Sequence, residues 1–361
     1  MKSVTSVVRG LAVALLVLAE FVSVGYAQDQ KVAGTPFTLT WSEGRCFGCK
    51  NAAALGEIQF VSRNEAWAVG FKTVLNEVNT IVVHSTDAGR TWKEAPKTQQ
   101  YTDPDGQLAF SFLDASRGWV APWQNRGGEP EMIRTQDGGQ HWQRVSQQFL
   151  QSMQFIDDAH GYGTLADEFF RTDDGGRSWV GTKIPAIGFI DRMIFLASGN
   201  GWIAGAPWIG GRPGTEFRVF RTANGGMDWE ESRTIPPQPP ERVRDLFFFD
   251  QQRGWLTLWN YNLEGPGLYS TIDGGKRWTP DPAPSFQGKG KQVDVVRFIS
   301  RERGFVFLSS SGQSRLAYTT DGGTHWHEQA LPRSVYDCQV FAGDLICSAS
   351  PGFRLLTLHP R

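Results

Sequence analysis

Trp123, Arg126, Trp208, Arg212, Trp259 and Tyr261 are the side chains of this sequence best suited to recognition. They fall in three stretches, APWQNRGGEPE, GAPWIGGRPGTEF and LWNYNLEGPGL, which bring Trp or Tyr close to Arg or Asn. Trp, Tyr and Arg dominate binding energetics because each joins a large contact area to a polar group. A core role for the three tryptophans is equally open. Each lies an even number of residues from a preceding Gly-Trp pair, and an even step keeps a side chain on one face of a strand.

Reactive constellations are sparse. No GxSxG, HExxH or phosphate-cradling loop occurs. His325 and His327 flank Trp326 without a third metal ligand, and Asp103 and Asp105 in TDPDGQ read as a turn. Tyr261 and Glu264 are separated only by loop residues. Arg242, Arg244 and Arg253 make a candidate basic patch. The expectation is therefore no catalytic residue, no metal and no cofactor.

The four cysteines suit an exported chain with two disulfides. Cys338 and Cys347 stand symmetrically about Ala342-Gly343, opposite each other in a predicted hairpin. Such a non-hydrogen-bonded pair has Cα atoms about 4.5 Å apart, within reach of a disulfide. Cys46 and Cys49, in RCFGCKN, can close a small loop, and a bond from either to the C-terminal pair is the competing connectivity. A haem-attachment motif would have His where Lys50 stands, and no βαβ context supports a redox CxxC.

The elements that must position these residues announce themselves by repetition. STDAGRTW, TQDGGQHW, TDDGGRSW, TANGGMDW, TIDGGKRW and TTDGGTHW recur with their tryptophans 37 to 50 residues apart, a spacing that indicates a solenoid, a propeller or an array. The turn residues are Asp87, Asp137, Asp174, Asn224, Asp273 and Asp321, followed by Trp92, Trp142, Trp179, Trp229, Trp278 and Trp326. Asp or Asn can accept backbone N–H groups of its own turn, Gly supplies positive φ, and Trp covers the turn. Their role is read as structural.

An apolar strand and a Gly-aromatic pair precede each turn, as in FSFLDASRGWVAP and LFFFDQQRGWLTL. Strand, turn, strand, variable loop, strand, Asp-turn and strand make a four-stranded blade. After the last Asp-turn only three strands remain, while FTLTWSEG near the N-terminus, with Trp41 in the repeat position, is a fourth. The prediction is an all-β, seven-bladed propeller whose last blade is closed by the N-terminal strand, which leaves no open edge.

Lys2 and Arg9, the apolar run after them and the small residues Gly25 and Ala27 read as a secretory signal peptide over 1–27. Residues 28–361 then form one propeller domain, exported to a periplasmic, lumenal or extracellular space. A formal charge of −1 argues against nucleic acid and membrane surfaces as partners. The mature chain is expected to act as a monomer, with no membrane insertion of its own.

The phrase T-x-D-G-G-x-x-W resembles the Asp-box, or bacterial neuraminidase repeat, and covers nearly all of the mature chain. Paired with F-x-D-x-x-x-G-W, it is similar to the photosystem II assembly and stability factors. That resemblance implies a non-catalytic seven-bladed propeller that binds newly made reaction-centre protein, a membrane complex subunit, partly through an arginine-rich face. The alternative resemblance is to sialidase-like glycoside hydrolases or glycan-binding propellers. A sialidase would carry an early Arg-Ile-Pro signature, which is absent.

Overall fold

The computed structural model describes residues 28–30, 35–47, 52–74, 77–95, 101–102, 109–121, 131–184, 187–209, 212–213, 217–232, 242–259, 266–287, 291–310, 313–349 and 354–360. The proposed signal segment and Trp123, Arg126, Tyr261, Glu264, Cys49, Asp103 and Asp105 lie outside them, as do the side chains of Cys46, Trp208, Arg212 and Trp259.

Seven four-stranded antiparallel blades form a β-propeller. In the third blade, for example, the strands run Ser152–Phe155, Gly161–Leu165, Glu168–Thr172 and Val180–Lys183 from the axis outward. First strands of neighbouring blades meet around the axis, and Val335–Phe341 of the seventh blade meets Ala52–Phe60 of the first, so the ring closes. The seventh blade takes its outer strand from the N-terminal side: Phe37–Glu43 pairs antiparallel with Arg354–Pro360, with Trp41 opposite Leu356. Cys338 and Cys347 pair directly across the hairpin and form a disulfide at a Cα separation of 4.0 Å.

Both repeated phrases have a packing explanation. Seven buried apolar clusters occur among the described residues, each between two adjacent blades. A phenylalanine at the end of a first strand sits at the heart of most of them. Phe112, Phe155, Phe195, Phe248 and Phe298 stack on Trp67, Trp119, Tyr162, Trp202 and Trp255 of the preceding blade, at 4.1, 3.8, 3.6, 3.5 and 3.7 Å between centroids. The same rings meet the Asp-turn tryptophans of their own blades edge-on. Such aromatic pairs add about 0.5–1.5 kcal/mol each beyond buried area. The glycine before the second-strand aromatic leaves room for the first-strand phenylalanine paired with it: a Cβ on Gly118 would lie 2.0 Å from Phe112.

Each Asp-turn is a closed local network. In the second blade the Thr135 hydroxyl donates to Asp137 and accepts the Gly139 N–H, while Asp137 accepts the His141 N–H at 2.9 Å. The Trp142 indole donates to the Gly139 carbonyl, and Gly139 has φ 79°. Asn224 makes the corresponding bonds through its amide oxygen. The His141 N–H and imidazole hold the Asp137 carboxyl at about 2, and His325 does the same for Asp321. His325 thus belongs to the turn, and the strand begins at His327. In five of the hairpins between first and second strands the acceptor is an Asp or a Ser: Asp114, Asp157 and Asp250, or Ser62 and Ser300, each take two backbone N–H groups.

Candidate functional site

The two faces of the ring differ. First-strand starts pair with second-strand ends, as Arg242 does with Trp259 and Phe189 with Ala206. The variable loops therefore emerge on the face where first strands begin, and the Asp-turns lie on the other. Trp208–Ile209 pairs with Arg212–Pro213 in a short ribbon on that loop face, and Trp259 ends its strand there. The three arginines read as one basic patch are separated. Arg242 and Arg244 lie toward the loop face, whereas Arg253 sits in a hairpin turn on the opposite face, donating to the Arg301 carbonyl.

Toward the loop face the first strands depart from regular pairing. The register shifts between Ile190 and Arg192, Val243 and Asp245, Val293 and Val295, Val335 and Asp337, and Leu55 and Ile58. A bulge inserts an extra residue and re-aims the side chains beside it. Here those residues are Asp191, Arg192, Arg244, Asp245, Asp294, Asp337 and Glu57, so the axial opening is lined with charge.

The network is dense. Asp245 is buried and accepts the Val296 N–H at 2.9 Å and Arg297 Nη1 at 2.5 Å. Arg297 also donates through Nε to the Cys338 carbonyl at 2.6 Å and lies 3.5 Å from Asp337. Asp191 accepts Arg242 Nε at 2.9 Å and the Val243 N–H at 3.0 Å. Arg192 donates to the carbonyls of Arg244 and Asp191, both at 2.7 Å. Arg244 Nε stands 3.5 Å from Asp294, which also accepts the Ser309 hydroxyl.

Glu57 differs from its neighbours. It has no hydrogen bond or ion pair among the described residues. Enclosure by the ring, with the Asp337 charge beside it, pushes its carboxyl up to about 7, against the opposing pull of Arg192. Its side chain nevertheless stays exposed, because it projects into the opening and not into the packed core. Burial also raises Asp337, Asp191 and Asp294 above the usual carboxylate range, in spite of their arginine neighbours. Raised carboxyls grouped in one concavity are a functional-site signature. Among the described residues, no three His, Cys, Asp or Glu side chains are placed to hold a metal ion.

No protein-family model matches the sequence, and no curated protein matches it. Solved structures do. "YCF48 bound to D1 peptide" is 17% identical with a TM-score of 0.63, over 91% of this chain and 96% of that one. YCF48 from Cyanidioschyzon merolae is 17% identical with a TM-score of 0.60, over 85% and 95%. The GH74 xyloglucanase from Xanthomonas campestris is 14% identical with a TM-score of 0.56, over 83% of this chain but only 51% of its own. The likeness is one of fold.

Of the axial residues only Arg244 was singled out from sequence, although a signal for the others exists. The first strands of blades four to seven, FIDRMIF, RVRDLFF, KQVDVVRF and VYDCQVF, carry charges inside otherwise apolar runs. In an alternating strand of a buried ring such charges have no place unless a bulge or an opening receives them.

Proposed function

We propose that this chain is a non-catalytic, exported propeller that holds a segment of a client protein on its loop face. The observation that carries the reading is the convergence of charged side chains from bulged inner strands at the axial opening, on the face toward which the second strands of the blades end. Trp123, Arg126, Trp208, Arg212, Trp259 and Tyr261 would supply the rim contacts, and Arg192 and Arg244 the central ones. Charge at the centre confers orientation and register on a docked segment. A propeller of like fold solved with a D1 peptide supports this reading, as does the resemblance of the double phrase to photosystem II assembly and stability factors. The client class is then a subunit of a membrane complex or its precursor.

The test is affinity recovery from the native cell envelope, with wild type beside an Arg192→Glu/Arg244→Glu variant of confirmed fold. Stoichiometric recovery of one membrane subunit by the wild type alone is expected. Equal recovery by both would remove the axial face from the reading.

One observation favours a second reading, glycoside hydrolysis. Glu57, pushed up to about 7 by enclosure and by the Asp337 charge, and Asp337, itself raised by burial, put two carboxyl groups in one opening, the pair of groups that glycosidases use. Release of reducing ends from a polysaccharide panel, abolished by Glu57→Gln, would establish it.

A further inference from the structure

Between the sixth and seventh blades a cavity of about 170 Å³ opens beside Arg244 and Asp294. Sites that enclose a drug-sized molecule measure roughly 300–1,000 Å³, so this one admits a group the size of a side chain. Phe307, Leu331 and Val335 make an apolar wall, and Arg244, Gln292 and the Ser314–Ser334 pair make a polar one. We propose that the cavity binds a carboxylate carried on a short apolar stem.

The unused hydrogen-bonding capacity of the walls points to that chemistry. Arg244 approaches Asp294 only through Nε, at 3.5 Å, and its two Nη groups have no partner among the described residues. The Ser314 and Ser334 hydroxyls share one hydrogen bond of 2.9 Å, so one of their two protons remains to be donated. Gln292 Oε1 lies 3.5 Å from the Ser309 hydroxyl, which leaves its amide N–H groups free to donate. The one carboxylate in the wall, Asp294, is already engaged by Ser309 at 3.0 Å and by Arg244. The wall thus offers a guanidinium, an amide N–H pair and a hydroxyl proton side by side as donors. A guanidinium edge matches the two oxygens of a carboxylate, and a partly enclosed site strengthens the contact. An ammonium group would meet the like charge of Arg244, and an uncharged polyol would leave the guanidinium without a counter-charge. The apolar wall accommodates the stem.

Two sources supply such a group, a free small acid or the end of a peptide chain. Calorimetric titrations would use 4-methylpentanoate, acetyl-Gly-Leu with a free carboxylate, and the amide of each. At least one acid should bind and its amide should not. Arg244→Gln and Gln292→Ala should each weaken binding about tenfold, the effect of losing one good hydrogen bond. Binding of the free acid alone assigns the site to a small metabolite, and binding of the peptide assigns it to a chain terminus. Ser314→Ala leaves the Arg244 pair intact and serves if Arg244→Gln unfolds. The proposal is overturned if neither acid binds at millimolar concentration, if amides bind as well as acids, or if no variant weakens binding. It does not rest on client docking, because recovery of an envelope subunit can persist while these titrations fail.

Discussion

From the first blade to the fourth, inner strands reach their neighbours with neutral side chains; from the fourth to the seventh they use charged ones. The Gln59 amide exchanges two hydrogen bonds with the backbone of Phe112, at 2.7 and 2.8 Å, and Gln154 does the same with Phe195. Ser111 accepts the Phe155 N–H, and Gln339 bridges the ring closure to Phe60. At the other junctions Asp191 accepts the Val243 N–H, Asp245 accepts the Val296 N–H, and Arg297 donates to the Cys338 carbonyl. The geometric task is the same, and an amide or hydroxyl performs it without desolvating an ion. Closure of the ring therefore does not require the charges of blades four to seven. They are additional to what closure needs.

The largest effect that would sharpen this contrast is at Arg297. Arg297→Met leaves Asp245 buried without its cation, and breaking one side of a buried pair costs about 3–5 kcal/mol. Urea unfolding of the single variant should show that loss, and adding Asp245→Asn should recover part of it. A loss below about 1 kcal/mol, the value of an exposed pair, would mean that water reaches the pair freely and that the charged junctions resemble surface ion pairs. The neutral junctions should respond less. Gln154→Ala leaves the Phe195 N–H and carbonyl without their side-chain partner, a loss of about 1–3 kcal/mol with no dependence on pH. If Gln154→Ala proves as damaging as Arg297→Met, the distinction between the two halves of the ring disappears.

How much of this was legible in the sequence follows from what each residue type does locally. The Asp-turns are short-range devices whose bonds close within five or six residues, so TQDGGQHW declares itself without a partner, and the Gly-aromatic pairs keep step with them. The seven-bladed ring and its N-terminal closing strand followed from counting them, and the Cys338–Cys347 pair from symmetry about one turn. The axial site could not be reached that way. Asp245 meets Arg297 across 52 positions and Gln339 meets Phe60 across 279, and neither pair has a spacing that predicts contact. The bulges that turn Asp191 and Arg244 toward the axis also break the alternation on which a strand reading depends. The grouping of Arg242, Arg244 and Arg253 failed for a related reason: a hairpin reverses the chain, and residues close in sequence end on opposite faces of the ring.

The smallest effect, and the one that best separates an enclosed charge from a merely central one, belongs to Glu57. Its carboxyl titrates near 7 in the folded ring against an ordinary value of 4.5, with enclosure the main cause and Asp337 the second. A raised carboxyl holds its proton more tightly when folded. Its contribution to stability is therefore complete below about pH 4.5 and is lost as pH rises through 7. Glu57→Gln removes that loss. The variant should match the wild type at pH 4 and exceed it at pH 8 by about 1 kcal/mol, a figure kept small because the exposed side chain is screened by water in the opening. Paired thermal melts at the two pH values decide it. An equal shift at both would mean that the side chain acts through packing alone. No shift at either would place Glu57 in ordinary solvent, and the charged lining of the opening would then begin at the fourth blade and end at the seventh.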